Sequence, residues 1–264
     1  MQAENEISPS PLSNVREFVR MILDGGMGAA PAAPAPVRSN SYISEVRMIK
    51  AVIFDMDGVI IDSELVYLEK MWEFGKTKNP DMRLEQLYPM VGASKADAWS
   101  VLADAIGQGQ TWEEAREELK AHVDVYADVD YRKIFRPEML DILRELKADG
   151  YKLAVASSTQ LPLVERVMRE NEIIDYFQIL VSGGQFKKSK PDPEIYLYTA
   201  ERLGVPPEAR LAVEDATFGV LAGRRAGVTV AALKDDRFHF DQSPAEYRMD
   251  RLTEVLEILK ELKK

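Results

Sequence analysis

Residues 49–64 read IKAVIFDMDGVIIDSE. Ile49–Phe54 is a short apolar run that stops on acidic residues, with Asp55, Met56, Asp57 and Gly58 directly after it. Tyr151–Ala156, Gln178–Val181, Arg210–Val213 and Val228–Ala232 are similar short runs. Helical patterns lie between them, at Pro137–Asp149, Leu161–Glu170, Pro193–Leu203 and Phe218–Ala226. Strands alternating with helices make βαβ units, and βαβ units make a parallel sheet. The expected fold is therefore α/β, a doubly wound, Rossmann-like parallel sheet. In such sheets a ligand sits beyond the carboxyl ends of the strands, so the residues just after each run carry the interest.

Residues 67–135 break the alternation. They read as helices at Tyr67–Lys76, Leu84–Met90, Lys95–Ile106 and Trp112–Ala127. An α-helical insertion between the first and second strands would stand over the crevice as a cap. The division expected is a catalytic core at 48–65 and 137–264, with the cap domain at 66–136. Residues 1–47 read as a disordered leader. Within it Val15–Leu23 has the spacing of a short amphipathic helix and residues 29–36, AAPAAPAP, that of a semi-rigid linker. The alternative for this leader is a docking segment for a protein partner at residues 12–24.

Composition excludes several classes. The 264 residues carry a net charge of −10, which disfavours a nucleic-acid binder. No cysteine is present, so disulfides, thiolate metal sites and cysteine nucleophiles are out. The two histidines, His122 and His239, stand far apart and cannot form a two-histidine zinc helix. Apolar stretches meet a charge well before the roughly 18 residues a membrane span needs. Glu4, Glu6 and Arg20 are wrong for a secretory signal. A cytoplasmic protein with no membrane or nucleic-acid partner is the expectation. Gly183–Ser189 resembles a phosphate loop but lacks its second glycine before Lys-Ser.

Four strand ends then supply one set of groups. Asp55 and Asp57 follow the first, Ser157 and Ser158 the second, Lys190 precedes the helix after the third, and Glu214 and Asp215 follow the fourth. Each alone is weak. A second Asp-x-Asp, Asp128-Val129-Asp130, follows a polar stretch and reads as surface. Together the groups fall on one rim. Oxygen-only ligands suit a hard cation such as Mg²⁺. A carboxylate can attack phosphorus, and a second can serve as acid and then base. An ammonium and hydroxyls stabilise the spread charge of a transferring phosphoryl group.

The chain resembles the haloacid dehalogenase superfamily, in its phosphatase and β-phosphoglucomutase-like branch with a helical cap. The resemblance spans about residues 49–235 and rests on AVIFDMDGVIIDSE, AVASST, KSKPDPEIY and VEDATFGVLAGRRAGV, in that order. It implies that Asp55 is the nucleophile and Asp57 the acid and base. It implies that Ser157, Ser158 and Lys190 hold the phosphoryl group. It assigns Mg²⁺ to Asp55, Asp57 through its carbonyl and Asp215, with Glu214 as a direct or water-mediated ligand. The presence of Asp57 favours phosphoryl chemistry over C–halogen cleavage. The segment Val91–Asp97 resembles the mutases' specificity loop, with Lys95 where they carry Arg. Tyr67 stands where mutases place His, and Gln160 where they place a basic residue that helps seat a second phosphate. Hydrolysis of a small phosphorylated metabolite, such as a sugar phosphate, is thus the expected activity, with a β-phosphoglucomutase-type mutase as alternative. A non-catalytic phospho-aspartate switch or scaffold is the alternative of another class. The switch is disfavoured because the third strand ends Val181-Ser182-Gly183-Gly184, without an acid.

Overall fold

The computed structural model describes residues 48–263. The leader helix, the Pro/Ala linker and the docking segment 12–24 lie outside them. The strands are β1 (Ala51–Phe54), β2 (Lys152–Ser157), β3 (Ile179–Ser182), β4 (Arg210–Glu214), β5 (Thr229–Leu233) and β6 (Tyr247–Met249). The helices are α1 (Glu64–Lys78), α2 (Lys95–Ile106), α3 (Trp112–His122), α4 (Glu138–Ala148), α5 (Leu161–Glu170), α6 (Glu194–Leu203), α7 (Thr217–Arg225) and α8 (Glu254–Leu262). No helix among the described residues is long and apolar enough to cross a membrane.

The strands form one sheet in the order β3-β2-β1-β4-β5-β6, with every neighbouring pair parallel. Phe54 at the end of β1 stands opposite Val155 of β2 and Val213 of β4. The strand order reverses between β1 and β4, and a crevice opens at such a reversal. Asp55 is the first residue past it.

Continuous apolar runs form these strands because helices cover both sheet faces. All residues of β1, β4 and β5 are buried. Val52 and Phe54 face a layer built by Ile142 of α4, Val167 of α5 and Leu259 of α8. Ala51 and Ile53 face the other layer, with Tyr196 of α6 and Val220 of α7. Each large side chain sealed in this way contributes about 1.5–3 kcal/mol.

The cap has a core of its own, made by Leu68, Phe74, Leu87, Leu102, Ile106 and Leu119. Its two connections to the sheet are zipped together: Asp62 N–H donates to the Ile134 carbonyl at 2.7 Å and Arg136 N–H to the Ile60 carbonyl at 3.1 Å. A third connection comes from the loop after β5. Phe238 on that loop is buried within the cap cluster, its ring 5.5 Å from that of Tyr88.

The cap differs from expectation in three places. The helix expected at Tyr67–Lys76 is longer at both ends, Glu64–Lys78. Leu84–Met90 is a 3-10 turn containing Pro89, which has no N–H to continue an α-helix. The helix expected at Trp112–Ala127 ends at His122. There Asp124 Oδ1 accepts from Tyr126 N–H at 2.9 Å, a local turn that competes with the helix. Past Leu233 the chain adds β6 and α8, which the strand and helix patterns above do not include.

Candidate active site

The carboxyl end of β1 positions Asp55, whose N–H donates to the Val213 carbonyl at 2.9 Å. Asp55 is thereby tied to β4, the strand that carries Glu214 and leads to Asp215. Lys190 completes the link. Its ammonium lies 2.9 Å from Asp55 Oδ1 and 2.7 Å from Glu214 Oε1, and donates to the Ala156 carbonyl at 2.9 Å. The Tyr196 hydroxyl also donates to Glu214. Burial pulls the Lys190 ammonium down, but Asp55 and Glu214 outweigh it and push it up. Burial pushes Glu214 up to about 7 against the pull of Lys190. Burial, then the Asp55 charge, hold Asp215 well above the carboxylate range.

Asp57 is held differently. Ser63 Oγ donates to its Oδ1 at 2.7 Å and Thr159 Oγ1 to its Oδ2 at 2.8 Å. Burial first and the Asp55 charge second push its carboxyl up, against these two hydroxyls. Such an environment favours the protonated form of this carboxyl more than water does.

Asp55, Glu214 and Asp215 each bring a ligand oxygen within 4.8 Å of the others. The backbone is cut to fit them. A Cβ on Gly58, where φ is +78°, would meet Asp215 Oδ2 at 2.0 Å, and one on Gly219 would meet Glu214 Oε2 at 1.9 Å. Lys190 is the single buried cation paired with this carboxylate set among the described residues. An oxygen-only, charge-surplus set of this kind can hold a hard divalent cation.

These groups open on a cavity of about 420 Å³ between sheet and cap. Asp55, Asp57, Lys190, Glu214 and Asp215 line it, with Ser158, Thr159 and Tyr67. Ser157 is fully buried at the end of β2, its oxygen accepting from Thr159 N–H at 3.1 Å. Lys95 opens α2 after the Ser94 cap, and its side chain lies outside the described residues. Gln160 is exposed and lies against Gly184.

A profile of the haloacid dehalogenase-like hydrolases matches residues 52–233. The chain belongs to this family. Within the haloacid dehalogenase-like hydrolases, a Thermotoga maritima protein named phosphorylated carbohydrates phosphatase is 31% identical over 226 residues, covering 81% of this chain and 100% of that one. The phosphoglycolate phosphatase of Aquifex aeolicus is 29% identical over 220 residues, covering 80% and 97%. Among solved structures, a candidate β-phosphoglucomutase from Thermotoga maritima superposes with a TM-score of 0.62 at 29% identity, covering 81% of this chain and 99% of that one. The chain is thus a hydrolase of this family with a carboxylate-lined catalytic centre.

Four residues of the haloacid dehalogenase-like site had no role in the sequence reading: Ser63, Thr159 and Tyr196, which hydrogen-bond the carboxylates, and Glu64, which lines the cavity. All four stand inside the motif strings quoted above. Their signal was present as residue type, but only the folded turns show what they touch.

Proposed function

We propose that the chain is a Mg²⁺-dependent phosphatase that hydrolyses a small phosphomonoester through an aspartyl-phosphate on Asp55. The observation that carries this reading is the contrast between two neighbouring carboxyls. Asp55 is paired with the Lys190 ammonium at 2.9 Å. Asp57 is held by Ser63 and Thr159 and pushed toward its protonated form.

The Asp55 carboxylate attacks phosphorus in line. A bond forms from its oxygen to phosphorus as the bond to the leaving oxygen breaks. Asp57 gives its proton to that leaving oxygen, then removes a proton from the water that attacks the acyl-phosphate. Phosphate leaves and Asp55 is restored. Lys190, Ser157 and Ser158 hold the phosphoryl oxygens. Asp55, Glu214, Asp215 and the Asp57 carbonyl would hold Mg²⁺, which supplies charge stabilisation to the phosphoryl group when bound. The cap over the cavity excludes bulk water.

Hydrolysis is favoured over the mutase reaction by the residues around the entrance. Gln160, turned against Gly184, leaves no cation at the position where the mutases' basic residue helps seat a second phosphate, and Tyr67 replaces their His. The phosphatase names of the Thermotoga and Aquifex relatives support the same reading. The test is phosphate release from a panel of small phosphomonoesters, with Mg²⁺ and with chelator. The panel includes β-glucose 1-phosphate, with glucose 6-phosphate followed in parallel. Chelator-sensitive release is expected. Glucose 6-phosphate without free phosphate would make the protein a mutase, and neither product from any substrate would return it to the switch or scaffold class.

A further inference from the structure

We infer that Gln242 is a positioning residue for the divalent cation. Its side-chain amide fixes the backbone of Asp215, and through it the carboxylate that Asp215 offers. The inference goes beyond the phosphatase reading but rests on its assignment of Asp215 to the cation.

β4 and β5 stay paired as far as Glu214 and Ala232. Asp215 and Leu233 come next in register, past the last pair. The Gln242 side chain takes the place of that missing pairing. Its Nε2 donates one hydrogen to the Asp215 carbonyl and the other to the Leu233 carbonyl, the latter at 2.7 Å. Both partners are acceptors, so only the nitrogen end of the amide can face them. Gln242 is buried, and a buried carbonyl that loses its donor bears the desolvation cost of an unpaired group. The backbone of Gln242 is itself held on both sides. Asp241 N–H donates to Thr217 Oγ1 at 2.7 Å, at the start of α7 two residues past Asp215. Ala245 N–H closes a turn onto the Gln242 carbonyl at 3.1 Å. Upstream, the same loop runs into the cap. Phe238 is buried there, and the Phe240 ring lies against Gly92, a wall residue of the catalytic cavity.

The fit of Asp215 makes the cation sensitive to this amide. Its carboxylate lies so close to Gly58 that a Cβ there would meet Oδ2 at 2.0 Å. The side chain has little room to swing, so its oxygens follow its backbone. Mg²⁺ demands near-ideal octahedral geometry at about 2.0–2.1 Å, so a small displacement of one ligand is felt as lost affinity. Groups that orient a metal ligand from behind are commonly worth about 10–100-fold in metal affinity. Gln242 does not line the catalytic cavity, whereas Asp215 does. A change at Gln242 therefore reaches the cation through Asp215 rather than by contact with substrate.

The test is calorimetric titration of the full chain with Mg²⁺, comparing wild type with Gln242→Met and Gln242→Glu. Methionine keeps the volume and has no donor. Glutamate keeps the length and has at most one proton for two carbonyls. The Mg²⁺ Kd is expected to rise about tenfold or more in both. The Mg²⁺ concentration for half-maximal phosphate release should rise by the same factor, while KM for substrate at saturating Mg²⁺ stays near that of wild type. Val255→Ala, which opens space in the core layer under α8, is the comparison for lost stability alone. It should lower Tm and leave the Mg²⁺ Kd unchanged. In wild type, the side-chain amide signals of Gln242 in a nitrogen-resolved NMR spectrum should move as Mg²⁺ is added, and those of the exposed Gln108 should not. That measurement decides the matter if neither Gln242 variant folds: signals that stay put at saturating Mg²⁺ would overturn the inference. A wild-type Kd in both Gln242 variants would also overturn it and leave the cation and the phosphatase standing. Equal weakening in Val255→Ala would reduce Gln242 to a support of the fold. No Mg²⁺ binding by wild type would retire the cation assignment and the inference with it.

Discussion

Arg237 holds Asp62 through both terminal nitrogens, at 2.6 Å from Oδ1 and 3.1 Å from Oδ2. The two residues sit at two of the three places where core and cap are joined. Asp62 is where the chain leaves the sheet for α1, and Arg237 precedes Phe238, which is buried in the cap cluster. The same guanidinium reaches Asp235 at 2.9 Å, so one cation ties strap to hinge.

Arg237→Met is expected to cost about 1 kcal/mol, a figure discounted because the pair is about a third exposed. KM should rise more than kcat falls, because a loosened cap binds substrate less well before it alters the chemistry. The pH dependence has a definite sign. Burial raises the Asp235 carboxyl, but Arg237 outweighs it and holds the group below its ordinary range. A depressed carboxyl contributes stability above its unfolded value of about 3.9, and that stability is lost as pH falls through the folded value. The Tm difference between variant and wild type should be full at pH 7 and smaller near pH 3. A difference equal at both pH values would contradict the ion-pair account.

Gly219→Ala sets two effects against each other. Alanine favours a helix over glycine by about 1 kcal/mol. The added Cβ would, however, meet Glu214 Oε2 at 1.9 Å and force it from Lys190 and Tyr196. Unpairing a buried charge costs about 3–5 kcal/mol, so displacement wins. The variant should melt lower than wild type and lose about 100-fold in kcat, as misplaced groups in a reaction site do. A higher Tm with full activity would show that Glu214 has room to move.

What the sequence made legible follows physical lines. β1, β4 and β5 were readable because strands buried on both faces must be continuously apolar, and all their residues are buried. α5 was readable to the residue: Pro162 fits its first turn and one face is strongly apolar. β6 had no such signal, since of Tyr247, Arg248 and Met249 only Met249 is buried at this sheet edge. Phe238 was illegible for another reason. It packs into a cap that lies more than a hundred residues earlier, and no local period records such a contact. The strand-end groups were legible as types at a rim. The pairing of Asp57 with Ser63 and Thr159 depends on turn geometry and was not.

The two aspartates should separate by leaving group. Asp55→Asn is expected to remove turnover by about 1,000-fold or more for every substrate, with folding intact, because nothing replaces the attacking oxygen. Asp57→Asn should slow a sugar phosphate by about 100-fold or more, as loss of a general acid does. Release of p-nitrophenol from its phosphate should suffer less, since that leaving group departs without a proton. Equal losses on both substrates would remove the acid role from Asp57.

The metal-free protein should lose stability as pH rises. Glu64 is pushed up to about 8 and Glu214 to about 7, and Asp57 and Asp215 are also raised. A raised carboxyl keeps its proton in the folded state after the unfolded chain has released it. Stability from it is therefore full below about pH 4 and falls as pH climbs through the folded values. Mg²⁺ competes with those protons and binds only the folded site, so its stabilisation should grow with pH. Thermal unfolding with Mg²⁺ and with chelator, at pH 5.5 and pH 8, checks this. At about 2–4 °C per kcal/mol, the Mg²⁺ increment at pH 8 should exceed that at pH 5.5 by several degrees. An increment that is absent at both would argue against a cation at Asp55, Glu214 and Asp215.

Tyr67→Phe should make the protein more stable and a worse enzyme. The Tyr67 hydroxyl is buried and makes no well-aligned hydrogen bond, the Tyr131 hydroxyl being its neighbour, and an unsatisfied buried polar group costs about 1–3 kcal/mol. Phenylalanine removes that cost and keeps the edge-on packing against Tyr126, whose ring centroid is 5.0 Å away. Stability should therefore rise by about 1 kcal/mol. If the hydroxyl is paired by substrate, KM for a hydroxylated phosphomonoester should rise several-fold while kcat changes less. Raised stability with unchanged KM would make Tyr67 a packing residue, because the orphaned oxygen would then have no partner in the complex either.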